Sequence, residues 1–133
     1  MINIDLIYDM LSWDNDESTQ QAGIEYAKTI RSLYPLILPI LPQNSKGIWD
    51  NCAKVLASKS DTELEPYLSL LFEWFQDMNW PGASIIYNRL LKVNSPCLME
   101  HFSICLKLAE ERTDEPWKEA LMAFKQDYYD RYR

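Results

Sequence analysis

Apolar residues recur along this chain at three- and four-residue intervals, the spacing that gathers them on one face of an α-helix. Ile4, Ile7, Met10 and Leu11 predict a short first helix, with Asn3 placed to accept from its orphan amides. A second helix is predicted from near Ser18 to Tyr34, with Ala22, Tyr26, Ile30 and Leu33 inward and Pro35 ending it. The stretch LILPILPQN, whose prolines follow closely on Pro35, reads as a turn or broken connection. A third helix over 46–58 turns Ile48, Cys52, Val55 and Leu56 inward.

Ser60-Asp61-Thr62-Glu63 has the pattern of a capping box and opens a fourth helix. Its inner face is Leu64, Leu68, Leu71, Trp74 or Phe75, and Met78. Asn79-Trp80-Pro81 breaks the chain before a fifth helix with Ile85, Ile86, Leu90 and Leu91 on its stripe. Ser95-Pro96 begins a sixth, with Met99, Phe102, Leu106 and Ala109 inward. Thr113 can cap a seventh, with Trp117, Leu121, Phe124 and Tyr128 inward. No stretch alternates with period two between turn residues, so the expected class is all-α.

Trp13, Trp49, Trp80 and Trp117 add a longer rhythm of 36, 31 and 37 residues, and the first two begin the same tripeptide, Trp-Asp-Asn. A period of that length in paired helices is the mark of an α-solenoid, because one helix pair cannot cover its own apolar face and neighbours must stack. The expectation is a single all-α domain over 1–133. Its helical hairpins would repeat as a short HEAT-like solenoid or right-handed α-α superhelix of about six to seven helices. A plain helical bundle with scattered tryptophans is the alternative.

Composition supports a folded core: 133 residues with 47% apolar, 13% aromatic and 25% charged side chains suit one globular domain. Three glycines disfavour phosphate-cradling loops and nucleotide-binding turns, which need Gly at positive φ. The net charge of −7 is opposite to what phosphate neutralisation requires, so neither nucleic acid nor an anionic membrane is an expected partner. No apolar run approaches the ~18 residues of a membrane span, and MINIDLIYDM lacks a basic stretch and carries two aspartates. The three cysteines, odd in number and set in apolar stretches, suit reduced thiols. The expected location is the cytoplasm.

The charge lies in blocks. Residues 1–27 carry Asp5, Asp9, Asp14, Asp16, Glu17 and Glu25 with no base, and residues 61–88 carry Asp61, Glu63, Glu65, Glu73 and Asp77 with no base. Between them Lys28, Arg31, Lys46, Lys54 and Lys59 face Asp50 alone. Glu73 and Asp77, read as four apart on one helix, would form an acidic ridge beside Trp74, Phe75 and Trp80. Such a ridge suits a protein interface, with Trp giving contact area and charge giving steering, unless those aromatics belong to the core.

Chemistry is scarce. Cys97, His101 and Cys105 have ligand-like spacing, but a structural zinc site would need a fourth ligand such as Cys52. The plainer expectation puts the cysteines in the core and His101 at the stripe's edge, with no metal and no cofactor. His101 is the sole histidine and would have to serve every nucleophile as base. Acid pairs could in principle support a small hydrolase, but the reading is that the protein is not an enzyme.

FEWFQDMNWPGA, with SDTELEPYLSLLFEW before it and IIYNRLL after it, resembles a family of small all-helical HEAT-like bacterial proteins that includes immunity proteins of polymorphic-toxin systems. LSWDNDESTQQAGIEYAKTI and IWDNCAKVLASKSD add to the match, and the C-terminal forty residues look generic. The resemblance implies a helical fold, no catalytic residues and an antitoxin role, and it rests on Glu73, Trp74, Gln76, Asp77, Asn79, Trp80, Pro81 and Gly82. The expected function is an immunity protein that neutralises a cognate toxin, such as a nuclease domain, through an acidic helical surface. Asp14, Asp16, Glu17, Glu73, Asp77 and Trp80 are its expected partner-binding residues. A non-catalytic scaffold or adaptor for another protein is the competing reading, and oligomeric state is left open.

Overall fold

Asn3 accepts from the Leu6 amide at 3.2 Å through its side-chain oxygen and so starts α1 (Ile4–Leu11) as expected. The computed structural model describes residues 3–37 and 46–132. After α1 come α2 (Glu17–Ala27), α3 (Trp49–Ala57), α4 (Asp61–Leu64), α5 (Leu68–Phe72), α6 (Ala83–Leu91), α7 (Cys97–Glu111) and α8 (Glu115–Arg131). Among the described residues there is no strand, and the class is all-α.

α2 departs from expectation at both ends. Asp16, not Ser18, is the cap, taking the Thr19 amide at 2.8 Å. The helix stops at Ala27, where the Thr29 hydroxyl donates to the Tyr26 carbonyl at 2.7 Å and competes with the helical ladder. The buried face is therefore Gly23, Ile24 and Ala27, while Ala22 points outward. Gly23 lets α1 and α2 close together, since a Cβ there would stand 2.8 Å from that of Met10. Beyond α2, Tyr34–Leu36 makes a 3₁₀ turn around Pro35, and residues 38–44 of the proline-rich connection lie outside the described residues.

The two Trp-Asp-Asn tripeptides do a shared job. The last carbonyls of a helix have no partner within it. Asn15 donates to the carbonyls of Asp9 at 2.6 Å and Met10 at 3.2 Å, and Asn51 donates to that of Leu11 at 2.7 Å. Asn51 also reaches the Gln20 side chain at 2.9 Å and is the buried polar residue of the described core. Two asparagines thus close the end of α1 and bind it to α2 and α3.

Ser60 and Glu63 form the expected capping box, each side chain meeting the other's backbone amide at 3.2 Å. The fourth helix nevertheless breaks. Pro66 lacks an amide and crowds the preceding turn, so the chain passes through a 3₁₀ turn at Glu65–Tyr67 before α5. A second 3₁₀ turn, Glu73–Gln76, ends the segment, and Met78, expected inward, is 37% exposed.

The core then gathers around aromatic rings. Phe72 meets Phe75, Phe102 and Phe124 edge-on at 5.3–5.7 Å, and the Trp117 indole donates to the Phe72 carbonyl at 3.0 Å. These contacts pack α5 on α7 and bring α8 onto both α7 and the Glu73–Gln76 turn. On the other side α3 packs on α2 and α6. Trp49 bridges the halves, lying 5.9 Å from Trp74 and 5.4 Å from Trp80. Asp114, rather than Thr113, caps α8 by accepting from the Trp117 amide at 3.2 Å. Thr113 sits instead at φ +50°.

Asn51→Ala removes the donor to the buried Leu11 carbonyl and to the half-buried Gln20 side chain. It should lower folding stability by about 2 kcal/mol in chemical denaturation, with the helical far-ultraviolet spectrum retained.

Candidate functional site

The starts of α2, α3, α6 and α8 follow one another along a single line of contacts. The Trp13 amide donates to the Gly47 carbonyl at 3.0 Å, and its indole lies flat enough on Gly47 that a Cβ there would stand 3.0 Å from Nε1. Close beyond Gly47, the Trp49 ring meets Trp80 edge-on. The Trp80 amide closes a turn on the Asp77 carbonyl at 3.0 Å. That turn faces α8 across a groove of about 560 Å³, with Asp77, Met78 and Asn79 on one wall and Pro116 and Glu119 on the other.

Asp14, Asp16, Glu17, Asp77 and Glu119 are all exposed along this line. Among the described residues none of them is in an ion pair; the acids that are paired lie elsewhere, as Asp61 with Arg89 at 2.7 Å, Glu63 with Lys59, Glu25 with Lys28 and Glu110 with Lys118. The Thr19 hydroxyl and amide hold the Asp16 carboxyl below the usual carboxylate range, so it is ionised at neutral pH. Asp77 closes a local turn by accepting from the Asn79 amide at 2.8 Å. Each carboxylate near a helix start also favours its helix dipole, which gives the cluster a structural reason to stand where it does.

The aromatics beside the acidic residues differ in exposure. Trp74 and Phe75 are fully buried and belong to the core. Trp80 is half-buried against Trp49 and shows only part of its ring. Trp13 is 56% exposed and sits directly before Asp14. Its sequence signal was available, since it alone of the repeat tryptophans is followed by a run of polar residues, Asp14 to Gln21. Glu119 was not legible, because only the packing of α8 brings it opposite Asp77.

Glu73 and Asp77 do not share a face. The chain leaves α5 as a 3₁₀ turn and becomes extended at Asp77, so the i,i+4 ridge does not form. Glu73 is half-buried and turns toward α7. It borders a slot of about 140 Å³ with Ser69, Leu70, Ile104, Cys105 and Leu108. Its Oε2 is inaccessible and has no hydrogen-bond partner among the described residues. Burial pushes its carboxyl above the ordinary value, with Arg112 offsetting part of the effect.

The other polar groups of the slot are committed. The Ser69 hydroxyl and His101 Nδ1 are 2.6 Å apart, and the Cys105 thiol donates to the Ser69 carbonyl at 3.4 Å. Burial first, and the Glu73 carboxylate second, push the Cys105 thiol up to about 12, so it is not a thiolate near neutrality. Among the described residues no group bonds His101 Nε2, and the serine–imidazole pair lacks the orienting partner of a triad. Cys97 is only half-buried, contrary to its expected core position, because it begins α7 and points to Glu65 at 3.6 Å. Among the described residues no set of three or more His, Cys, Asp or Glu side chains could hold a metal ion. None of their helices is long and apolar enough to cross a membrane.

The family described as a domain of unknown function, DUF5071, matches residues 40–132, well over half of the chain. The match takes in the C-terminal helices, whose sequence looked generic, and leaves out the first Trp-Asp-Asn tripeptide. No curated protein and no solved structure matches the chain.

A raised carboxyl in the folded state means that the native protein binds a proton more readily than the unfolded chain does. Glu73 therefore costs stability above its folded value, and the cost disappears as pH falls below the ordinary glutamate value of ~4.3. Glu73→Met, apolar and of similar length, should raise the melting temperature by roughly 4 °C at pH 7 and by much less at pH 4. Thermal unfolding at the two pH values reads the difference.

Proposed function

We propose that this chain, which belongs to the DUF5071 family, is an immunity protein that binds and neutralises a basic toxin domain through the edge built from Asp14, Asp16, Glu17 and Asp77. The observation that supports the reading is the line of unpaired, exposed carboxylates running beside Trp13 and Met78. Opposite charge steers encounter and can raise association rates by orders of magnitude, while an exposed tryptophan supplies contact area at modest entropic cost. Trp80 serves from behind, holding the Asp77 turn against Trp49, and Glu119 extends the edge across the groove. Nothing in the role calls for catalysis: occupying the toxin's phosphate-holding surface is enough. In this reading the protein acts in the cytoplasm, its helix pairs stack as a short HEAT-like solenoid, and the successive helix starts form the binding edge.

A scaffold or adaptor would use the same edge on a different protein, and genetics separates the two. Co-expression with an adjacent toxin-like reading frame should restore growth. The triple variant Asp14→Asn, Glu17→Gln, Asp77→Asn keeps the Asp77 turn and the Asp16 cap. It should weaken toxin binding at least roughly tenfold at low salt and flatten the salt dependence. Rescue and affinity unchanged in that variant would overturn the edge reading.

A further inference from the structure

α7 turns Leu98, Phe102, Cys105 and Ala109 into the core. On its other side Glu100, Ser103, Ile104 and Lys107 are exposed, at the three- and four-residue steps that set them on one surface. Ile104 is apolar yet 54% exposed, and it stands at the lip of the slot between α5 and α7. The exposed lining of that slot is almost wholly apolar. Leu70 and Leu108 border it, and the Ser69 hydroxyl and the Cys105 thiol are already hydrogen-bonded within the protein. At about 140 Å³ it is close to the ~150 Å³ of an apolar cavity that accepts benzene, a molecule with more heavy atoms than an isoleucine side chain. An apolar knob and an apolar hole of matching size thus lie side by side on one face.

Charge adds an orientation. Glu100 precedes Ile104 by about one turn and Lys107 follows it by nearly as much. Among the described residues neither is in an ion pair. A two-fold axis crossing α7 between Ser103 and Ile104 lies ~5 Å along the helix from each charge. Copies related by that axis run antiparallel, so Glu100 of each meets Lys107 of the other. The same operation brings each Ile104 to the other copy's slot. Ser103 is small and its hydroxyl is spent on the Met99 carbonyl at 2.9 Å, so it does not obstruct the approach. Glu111 falls about two turns from the axis, at the solvated rim.

We propose that the outer face of α7 pairs with a second copy of this chain, antiparallel about a two-fold axis at Ser103–Ile104. Each Ile104 seats in the other copy's slot, and Glu100 pairs with Lys107 twice across the contact. A knob beside its own hole, and an acid set symmetrically against a base, give the self-complementarity that an isologous contact requires. The contact is small, so the dimer is weak, with a dissociation constant on the order of 50 μM. None of the acidic-edge residues takes part, and the inference stands apart from toxin binding.

Sedimentation velocity of the full-length protein from ~5 to ~500 μM is the test. The weight-average mass should rise across that range from the monomer value toward twice it. Ile104→Ser, a change at an exposed position, should keep the fold and weaken association at least roughly tenfold. Glu100→Lys and Lys107→Glu should each weaken it by a similar factor, because each sets like charges opposite one another twice, although they move the net charge in opposite directions. Combined, they exchange the ends of each pair and should restore the dissociation constant to within about threefold of the parent value. A monomer throughout the range would overturn the proposal, as would association indifferent to Ile104→Ser. So would single variants that merely follow net charge, or a double variant no better than its parents.

Discussion

The architecture turns on how closely two tryptophans, Trp74 and Trp49, approach a glycine. Gly82 stands at φ +87°, a conformation that side-chain-bearing residues rarely adopt. A Cβ there would lie 2.6 Å from the Trp74 ring, 2.7 Å from Ala53 and 2.9 Å from the Trp49 carbonyl. With no Cβ, α6 can start directly against α3, and Trp49 fills the space between Trp74 and Trp80. The same junction fixes the turn at Asp77–Trp80, and with it the place of Asp77 opposite α8. A core contact thus decides where a surface charge stands.

Two kinds of acid result. Asp61 shows the first kind: Arg89 bonds one oxygen at 2.7 Å and the Asn94 amide the other at 3.0 Å, and together they outweigh desolvation and lower its carboxyl. Glu63 is likewise used by Ser60 and Lys59. These charges are absorbed in holding helices together. Asp14, Glu17, Asp77 and Glu119 are not, and their field is directed into solvent. Clustered like charges weaken the folded state slightly and strengthen attraction for a basic surface. The second acidic block divides: Asp61 and Glu63 are of the first kind and Asp77 of the second, while the 3₁₀ turn after α5 turns Glu73 toward α7 and leaves Asp77 outward.

Local signals in the sequence translated well where a short-range bond decides the outcome. The Asn3 cap, the Ser60–Glu63 box and the buried faces of α3 and α8 follow from spacing and hydrogen-bonding chemistry alone. Legibility ended where tertiary packing chose between local alternatives. Nothing short-range says that Trp74 and Phe75 both turn inward while Met78 turns out. The repeated Trp-Asp-Asn was read as a period, and its asparagines converge on one helix end through bonds spanning up to 40 positions. Trp13 was readable as an exposed residue from its polar surroundings; Glu119 could be found only from the fold.

The central claim is that residues distant in sequence act as one binding edge. Hydrogen exchange of the toxin-bound protein tests it most directly. The account predicts protection at 12–17, 46–49, 77–80 and 114–119 together, with α1 and the outer face of α8 near Tyr129 unchanged. Protection confined to those last surfaces, with the edge exchanging as in the free protein, would contradict it.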